Sequence, residues 1–437
     1  MATIRFLGTA AKIAQISNYT LAGTWEANDV IRATIGTKRF DTTAGSTVAA
    51  TIAQTFVDAW NALSAVQYPE FQEITASRTG DDIILTADEA GKPFTVTLTP
   101  LESDLTAADA QTIEGVGVAT TGTTTTSSAG PNDWSTAQNW SGSAVPVAAD
   151  IIYIEDTNIP ILYGLDQSAV TVAALYIMAT YTGQIGLPER NQAGYWEYRD
   201  TFLKIGATIL GIGLGPGAGS GRVKINGGTV LSTVTVERTA PTVEPGVPSF
   251  CWKGTHASGV MNIQRGHVGV AFFGLEVATV LTMRISHMGN PGGDADVVLG
   301  SGCTLTTINQ LAGNLLLNAA VTTLTIRGGV CTTRGTGAIT TLEVGVLDPD
   351  KDKTRSVCYA NATGTITTAN VRAWGTLDVS QSQAARTITT TTVYRFAALL
   401  DTPFRPVTYT NAPALGGGAT PSEVNLFGSS GGVGSNA

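Results

Sequence analysis

The stretch at 321–347, VTTLTIRGGVCTTRGTGAITTLEVGVL, states one six-residue phrase twice. Val321, Leu324 and Ile326 sit in V-T-T-L-T-I, and Ile339, Leu342 and Val344 sit in I-T-T-L-E-V. The last three positions of each copy run apolar, polar, apolar, the period of a strand with one buried face. The first apolar position is out of phase by one residue, as in a strand entered through a bend. A chain that repeats such a phrase can bury its apolar residues by stacking the copies on one another, which narrows the folds open to it.

Looser copies run through the last two-thirds of the chain. Val172-Leu175-Ile177, Leu231-Val234-Val236, Val280-Met283-Ile285 and Ile366-Ala369-Val371 fit the frame. Leu305-Ile308 fits with Gln310 in third place, and Ile388-Thr391-Val393 fits with a polar middle position. Successive starts at 305, 321, 339, 366 and 388 are 16, 18, 27 and 22 residues apart. The longest interval holds the insertion DPDKDKTRSVCYANATG, and earlier intervals hold Gly/Pro-rich excursions such as GIGLGPGAGSG and ERTAPTVEPGVPS. A period near 20 residues with Gly turns predicts a mainly β fold, a right-handed parallel β-helix over 132–400 with rungs about 4.8 Å apart. Apolar residues would point inward and the Thr pairs would form outward ladders. Packed β-sandwich domains are the alternative, since strands 8–12 residues apart also suit them. The close echo of 321–326 in 339–344 favours stacking, because sandwich strands have no reason to resemble one another.

Residues 1–115 read differently. Strands are expected at 3–7, 29–35, 38–41, 71–76, 82–87 and 94–99, with a hairpin turn at Gly36-Thr37. The one convincing helix, 47–65, carries an apolar stripe of Val48, Ile52, Phe56, Trp60 and Leu63, with Ser46 or Thr47 as N-cap. The order predicts an α+β module with the helix on one face of an antiparallel sheet. Residues 116–131, rich in Gly, Thr and Ser, read as a linker, or alternatively as a long polar strand. Trp134 and Trp140 follow, either as a cap over the first solenoid turn or as a sugar-stacking platform. After Leu400 the repeat stops, and 401–437 reads as a Pro/Gly/Ser-rich C-terminal arm.

Composition excludes several function classes. Among 437 residues, 43% are hydrophobic and patterned, so the chain is not a disordered one. With a formal net charge of -9 and no Lys/Arg cluster, nucleic acid is not an expected partner. No run of about 18 apolar residues could span a membrane. The start, MATIRFLGTAAKIAQIS, lacks a charged region followed by an apolar one, so synthesis and folding in a cytoplasm are expected.

Residues that could carry chemistry are few. Glycan-cleaving β-helices need two or more converging carboxylates. The candidates are Glu189, Glu197 and Asp200 in LPERNQAGYWEYRD, with Tyr195, Trp196 and Tyr198 as sugar-stacking rings. The other reading of that segment is a protruding packing loop. Asp348, Asp350 and Asp352 alternate like the first ligands of a calcium loop, but its Gly and its Glu are missing. His256, His267 and His287 show no ligand spacing. Residues 213–221, GLGPGAGSG, resemble a phosphate loop but lack the Lys-Ser/Thr that follows one. Cys251, Cys303, Cys331 and Cys358 form no C-x-x-C pair. Free buried thiols are expected, although 303, 331 and 358 could stack on neighbouring turns. Asn18, Asn139 and Asn361 head N-x-S/T sequons. No residue is assigned a catalytic, metal or cofactor role.

The segments WEANDVIRATIGTKRF (25–40), AWNA (59–62), PEFQEITAS (69–77) and AGKPFTVT (90–97) resemble a module of tailed-phage structural proteins. NDWSTAQNWSGSAVP with ILYGLDQSAVTVAALYI (161–177) is similar to the start of β-helical regions in phage-encoded and bacterial surface proteins. The resemblance covers residues 1–190. It implies a virion structural protein on the particle surface, as capsid decoration, fibre or tail shaft, and it transfers no active site. It further implies a homotrimer and contacts with major capsid or tail proteins, and admits a host surface glycan as partner. A tailspike-like polysaccharide depolymerase and a bacterial surface adhesin are the alternatives.

Overall fold

The computed structural model describes residues 2–101, 118–119, 122–286, 295–381, 385–401, 407–417, 424–425 and 434–435. At 118–119, 424–425 and 434–435 only the backbone is described. The fold is mainly β, and its largest part is a parallel sheet system. Cys303–Gln310 pairs in parallel with Val321–Ile326, which pairs with Ile339–Val344, then Ile366–Val371, then Thr387–Tyr394. Between these strands lie Asn314–Leu317, Gly329–Thr333, Ser356–Ala360, Gly375–Asp378 and Ala398–Leu400, which stack on one another in the same way. Each turn of chain therefore lays one strand on each of two faces. This arrangement is consistent with a β-helix-like solenoid.

Register explains the repeated phrase. Its third apolar position forms one column through Ile177, Ile212, Val236, Ile263, Ile285, Gln310, Ile326, Val344, Val371 and Val393. The middle position stacks Leu324, Leu342, Ala369 and Thr391. The strands at 321, 339 and 366 share one burial pattern, with the first, fourth and sixth residues inside. Gln310 is fully buried, and its Nε2 donates to the carbonyls of Gly313 (2.8 Å) and Val330 (3.0 Å), so its amide protons are satisfied inside the column. Leu231 departs from the frame. It is 45% exposed, and Ser232 turns inward beside it, its hydroxyl donating to the Ala207 carbonyl. A one-residue shift at the strand entry exchanges the two faces.

The second face has its own column: Phe250, Val268, Val297, Leu315, Cys331, Cys358, Leu377 and Leu399. All four cysteines are free and buried. Cys331 and Cys358 are register neighbours, but Cys303 lies on the other face beside Ala278 and does not join them. In several rungs the turn between faces places a left-handed residue three positions after the column. Gly313 (φ 77°) and Gly329 (φ 80°) supply it, and a Cβ on Gly329 would sit 2.2 Å from the Gly313 carbonyl oxygen. Two rungs place Trp374 (φ 60°) and Phe396 (φ 64°) there instead, with their rings stacked at 5.2 Å.

The N-terminus corrects the expected domain boundary. Thr3–Arg5 pairs in parallel with Ile151–Ile154, so the first strand belongs to the solenoid and not to the module. The chain leaves at Ile13 and returns at Ala129, where the two backbones bond antiparallel (2.8 and 3.3 Å). The α+β module is thus an insertion between the first two rungs. Its strand Ile16–Ala22, not anticipated from sequence, pairs with Asp82–Ala87. Thr123–Thr126 also pairs with Ile16–Ala22, so this part of the expected linker is a polar strand of the module's sheet. The helix Ala49–Asn61 buries Ile52, Phe56 and Trp60 as expected. Val48 is instead the exposed N-cap residue, and Ser46 accepts the Val48 N–H without capping the helix.

Trp134 and Trp140 are fully buried against Phe6 at the first rung, with Trp134–Trp140 centroids 4.6 Å apart and Phe6–Trp140 5.2 Å. The backbone at Leu7 donates to the Asn139 carbonyl (2.7 Å), sealing the rung's edge. Both indoles therefore serve the end of the stack, and neither offers a face to a sugar. At the other end, Thr387–Tyr394 pairs with Ala414–Gly416, which pairs with Gly434–Ser435. The described parts of 401–437 thus extend the stack rather than forming a separate arm.

Burial of a Leu in such a column contributes roughly 1.5–3 kcal/mol. Leu342→Ala should cost about 2–5 kcal/mol through lost contact and a cavity, whereas Thr341→Ala on the outward face should change stability by less than about 0.5 kcal/mol. Urea midpoints of the two variants check this, and equal midpoints would sink the column as the source of stability.

Candidate functional site

Of the sequence-predicted residues, Tyr195, Glu197, Tyr198 and Asp200 lie at the seam where the inserted module meets the parallel stack. Residues 187–202 leave the stack as a narrow excursion. The Asn191 N–H donates to the Tyr195 carbonyl and the Glu197 N–H to the Glu189 carbonyl (both 2.9 Å), with Gly194 (φ 91°) in the turn. This geometry carries Tyr195, Glu197 and Arg199 toward the module.

Arg199 is the hub. Its Nη2 donates to Glu73 (2.6 Å) of the module, its Nη1 to Glu197 (2.9 Å) and its Nε to the Pro93 carbonyl (2.7 Å). Its guanidinium lies 4.3 Å from the Tyr198 ring centroid. Glu73 also accepts from the Tyr195 hydroxyl (2.5 Å) and from Lys92 (2.7 Å). The Glu197 carboxylate, 1% exposed, accepts the N–H groups of Tyr198 (3.0 Å) and Arg199 (3.1 Å). Burial alone would raise Glu73, but Arg199, Lys92 and Tyr195 outweigh it and hold the carboxyl below its ordinary 4.5. Burial likewise opposes the charge on Arg199, yet the surrounding Tyr198, Glu197 and Glu73 raise it above its usual range. The module's hairpin turn presses on the same loop, where a Cβ on Gly36 (φ 56°) would lie 2.8 Å from Tyr198 Cβ.

The three candidate carboxylates do not act together. Glu197 is closed in by Arg199. Glu189 faces the buried Lys224 (3.5 Å), which Glu244 also approaches (3.2 Å). Asp200 pairs with Lys204 (2.7 Å), whose other neighbour is Asp166 (3.3 Å). Of the three candidate rings, Tyr195 is buried and Tyr198 half-buried, stacked at 6.1 Å, while Trp196 is 69% exposed beside Arg190. Glu73, Lys92, Tyr163 and Asp166 were not anticipated. Nothing in their spacing marks them, since Glu73 meets Tyr195 across a separation of 122 residues.

Above this network lies a cleft of about 330 Å³ between Phe94 of the module and Tyr163, Asp166, Tyr198 and Asp200 of the solenoid. The remaining motifs are elsewhere. Asp348 pairs with Lys351 (3.2 Å) and accepts the Asp350 N–H (3.2 Å), and Asp352 accepts the Thr354 N–H (2.8 Å), so this loop spends its oxygens on its own turns. His256 accepts the Ser258 N–H and His267 faces Asp296 (3.3 Å), while His287 lies outside the described residues. Among the described residues no group of three or more His, Cys, Asp or Glu could hold a metal. Residues 213–221 turn between Leu203–Leu214 and Val223–Asn226, with a strand where a phosphate loop would open a helix. Asn139 is fully buried, its amide donating to the Gly130 and Asp133 carbonyls (both 2.7 Å), so this sequon offers no acceptor. No helix among the described residues is long and apolar enough to cross a membrane. No protein-family model, curated protein or solved structure matches the chain.

Because folding lowers the Glu73 pKa, its stabilising contribution is complete above about pH 5 and is lost as pH falls through the folded-state value. Glu343, Asp41 and Asp150 are also lowered and add to the same acid loss. Glu73→Gln should therefore lower the urea midpoint at pH 7, since Arg199 keeps Glu197 but loses its carboxylate partner in the module, and flatten the acid-side decline relative to the parent. Parallel midpoint curves from pH 3 to 7 for the two proteins would contradict a docking role for Glu73.

Proposed function

We propose that the chain is a structural component of a virion surface, a right-handed parallel β-helix shaft that acts through assembly and attachment. One observation carries this reading: the same inward column continues from rung to rung over Ile177–Val393, whichever excursion separates the rungs. A stack that tolerates insertions without losing register makes a stiff rod, and stiffness is what a shaft needs. The inserted module, locked by Arg199 and Glu73, supplies a lateral anchor for a capsid or tail protein.

The outward Thr column Thr282, Thr307, Thr323, Thr341, Thr368 and Thr390 supports a homotrimer, in which three flat faces of short side chains pack together. A depolymerase reading is supported less, since Glu189, Glu197 and Asp200 each answer to a different cation.

The mass of the purified chain in solution tests the proposal. Light scattering should give three times the protomer mass, and incubation with host capsular polysaccharide should release no new reducing ends. A monomer would undo the trimeric shaft, and reducing ends that disappear with Glu197→Gln would establish the depolymerase instead.

A further inference from the structure

The cleft at the junction has a lining that selects among ligand chemistries. Asp166 and Asp200 stand at its solenoid side, roughly half exposed (53% and 39%). Lys204 bridges them at 3.3 and 2.7 Å, so the place a cation would take between the two carboxylates is already filled by an ammonium. An anion would meet those carboxylates, and the nearby Arg199 guanidinium cannot answer it, being engaged by Glu73, Glu197 and the Pro93 carbonyl. The favoured ligand is therefore neutral.

The same lining says that the ligand is polar and carries flat apolar patches. Tyr163 and Tyr198 contribute aromatic surface beside Phe94. Two carboxylates offer acceptor lone pairs beyond those used by Lys204 and Ser168. A donor is also present. The Ser135 hydroxyl accepts from Gln167 (3.1 Å), which leaves its proton free. A neutral molecule with many hydroxyls and C–H faces is a sugar. The volume, about 330 Å³, lies at the small end for ligand pockets and suits one or two rings.

We propose that the junction cleft binds a neutral saccharide, with Tyr163 against its ring face and Asp166 and Asp200 accepting from its hydroxyls, while the Tyr198 ring, held by Arg199 and Tyr195, forms part of the wall. Because Phe94 comes from the module and Tyr163 from the solenoid, a bound sugar bridges the two units and reinforces their docking. This goes beyond the structural role, which stands or falls on the mass of the assembly whether or not the cleft is occupied.

The test applies the full chain to a printed array of neutral hexose and N-acetylhexosamine oligosaccharides, followed by calorimetric titration with the strongest binder. Saturable binding is expected, weakened about tenfold, the loss of one charge-assisted hydrogen bond, by Asp200→Asn. Tyr163→Ala should weaken it similarly, and Tyr163→Phe, which keeps the ring, should weaken it less. Asp348→Asn, far from the cleft in an exposed loop, should bind as the parent does. Asp200 is a surface position, so its variant keeps the test valid if Tyr163→Ala fails to fold. Absence of binding to every sugar on the array overturns the proposal, as does binding that survives Asp200→Asn. Saturable, Asp200-dependent uptake of calcium or inorganic phosphate in place of sugar overturns it too.

Discussion

Everything in this molecule follows from one packing constraint: inward side chains of successive rungs sit directly above one another, at the spacing of parallel strands. The column from Ile177 to Val393 works because, except at Gln310, each β-branched residue meets another of similar shape, and a slip of one residue would turn the whole set outward. The constraint governs polar residues as well. Gln310 is admitted because its amide reaches two backbone carbonyls, one within its own rung and one in the next. It governs the turns too, where the carbonyl of one rung leaves no room for a Cβ on Gly329 of the next. The strands on either side of the excursions at 187–202, 238–249 and 345–355 nevertheless keep their register.

Charge is distributed by the same logic. The interior of the stack cannot hydrate an ion, so cations and carboxylates gather on the outer sides of the strands, under the excursions. Lys224, fully buried, lies between Glu189 and Glu244 and against the Phe273 ring (4.7 Å). Lys253 pairs with Glu276 (2.7 Å) over Phe202. Buried pairs of this kind add little net stability compared with well-packed apolar residues, but a mispaired arrangement is costly, so they fix where each excursion lies. The Arg199 network applies that principle between two units. It holds the module against the parallel stack, bringing Glu73, Lys92 and the Pro93 carbonyl to their donors and acceptors.

Much of this was legible in the sequence. The Φ-x-x-Φ-x-Φ frame located the strands at 321, 339, 366 and 388, because a short period with one buried face leaves a direct trace in residue order. The helix stripe of Ile52, Phe56 and Trp60 was legible for the same reason. What escaped was long-range pairing. That Thr3–Arg5 belongs with Ile151–Ile154 has no local signature, and a strand at the start of a chain reads as part of whatever follows it. The seam was half visible: YWEYRD stood out by composition, but Glu73 and Lys92 look like ordinary surface charges until the fold sets them against Arg199. Leu231 misled because the frame tolerates one apolar residue in the wrong phase, and only the turning inward of Ser232 reveals the shift.

The placement of the module between the first and second rungs has a consequence for biosynthesis. The strand at Thr3–Arg5 leaves the ribosome well over a hundred residues before its partner at Ile151–Ile154 is made. During that interval the strand has no ladder to join, while the module, whose sheets and helix are complete within 13–129, has everything it needs to fold. Parallel pairing across such a gap must wait for synthesis. The first rung of the stack is therefore closed only after the module inserted behind it. A ribosome stalled before residue 151 would hold a finished module with a loose leading strand, and Phe6, Trp134 and Trp140 would come together only when the second rung arrives.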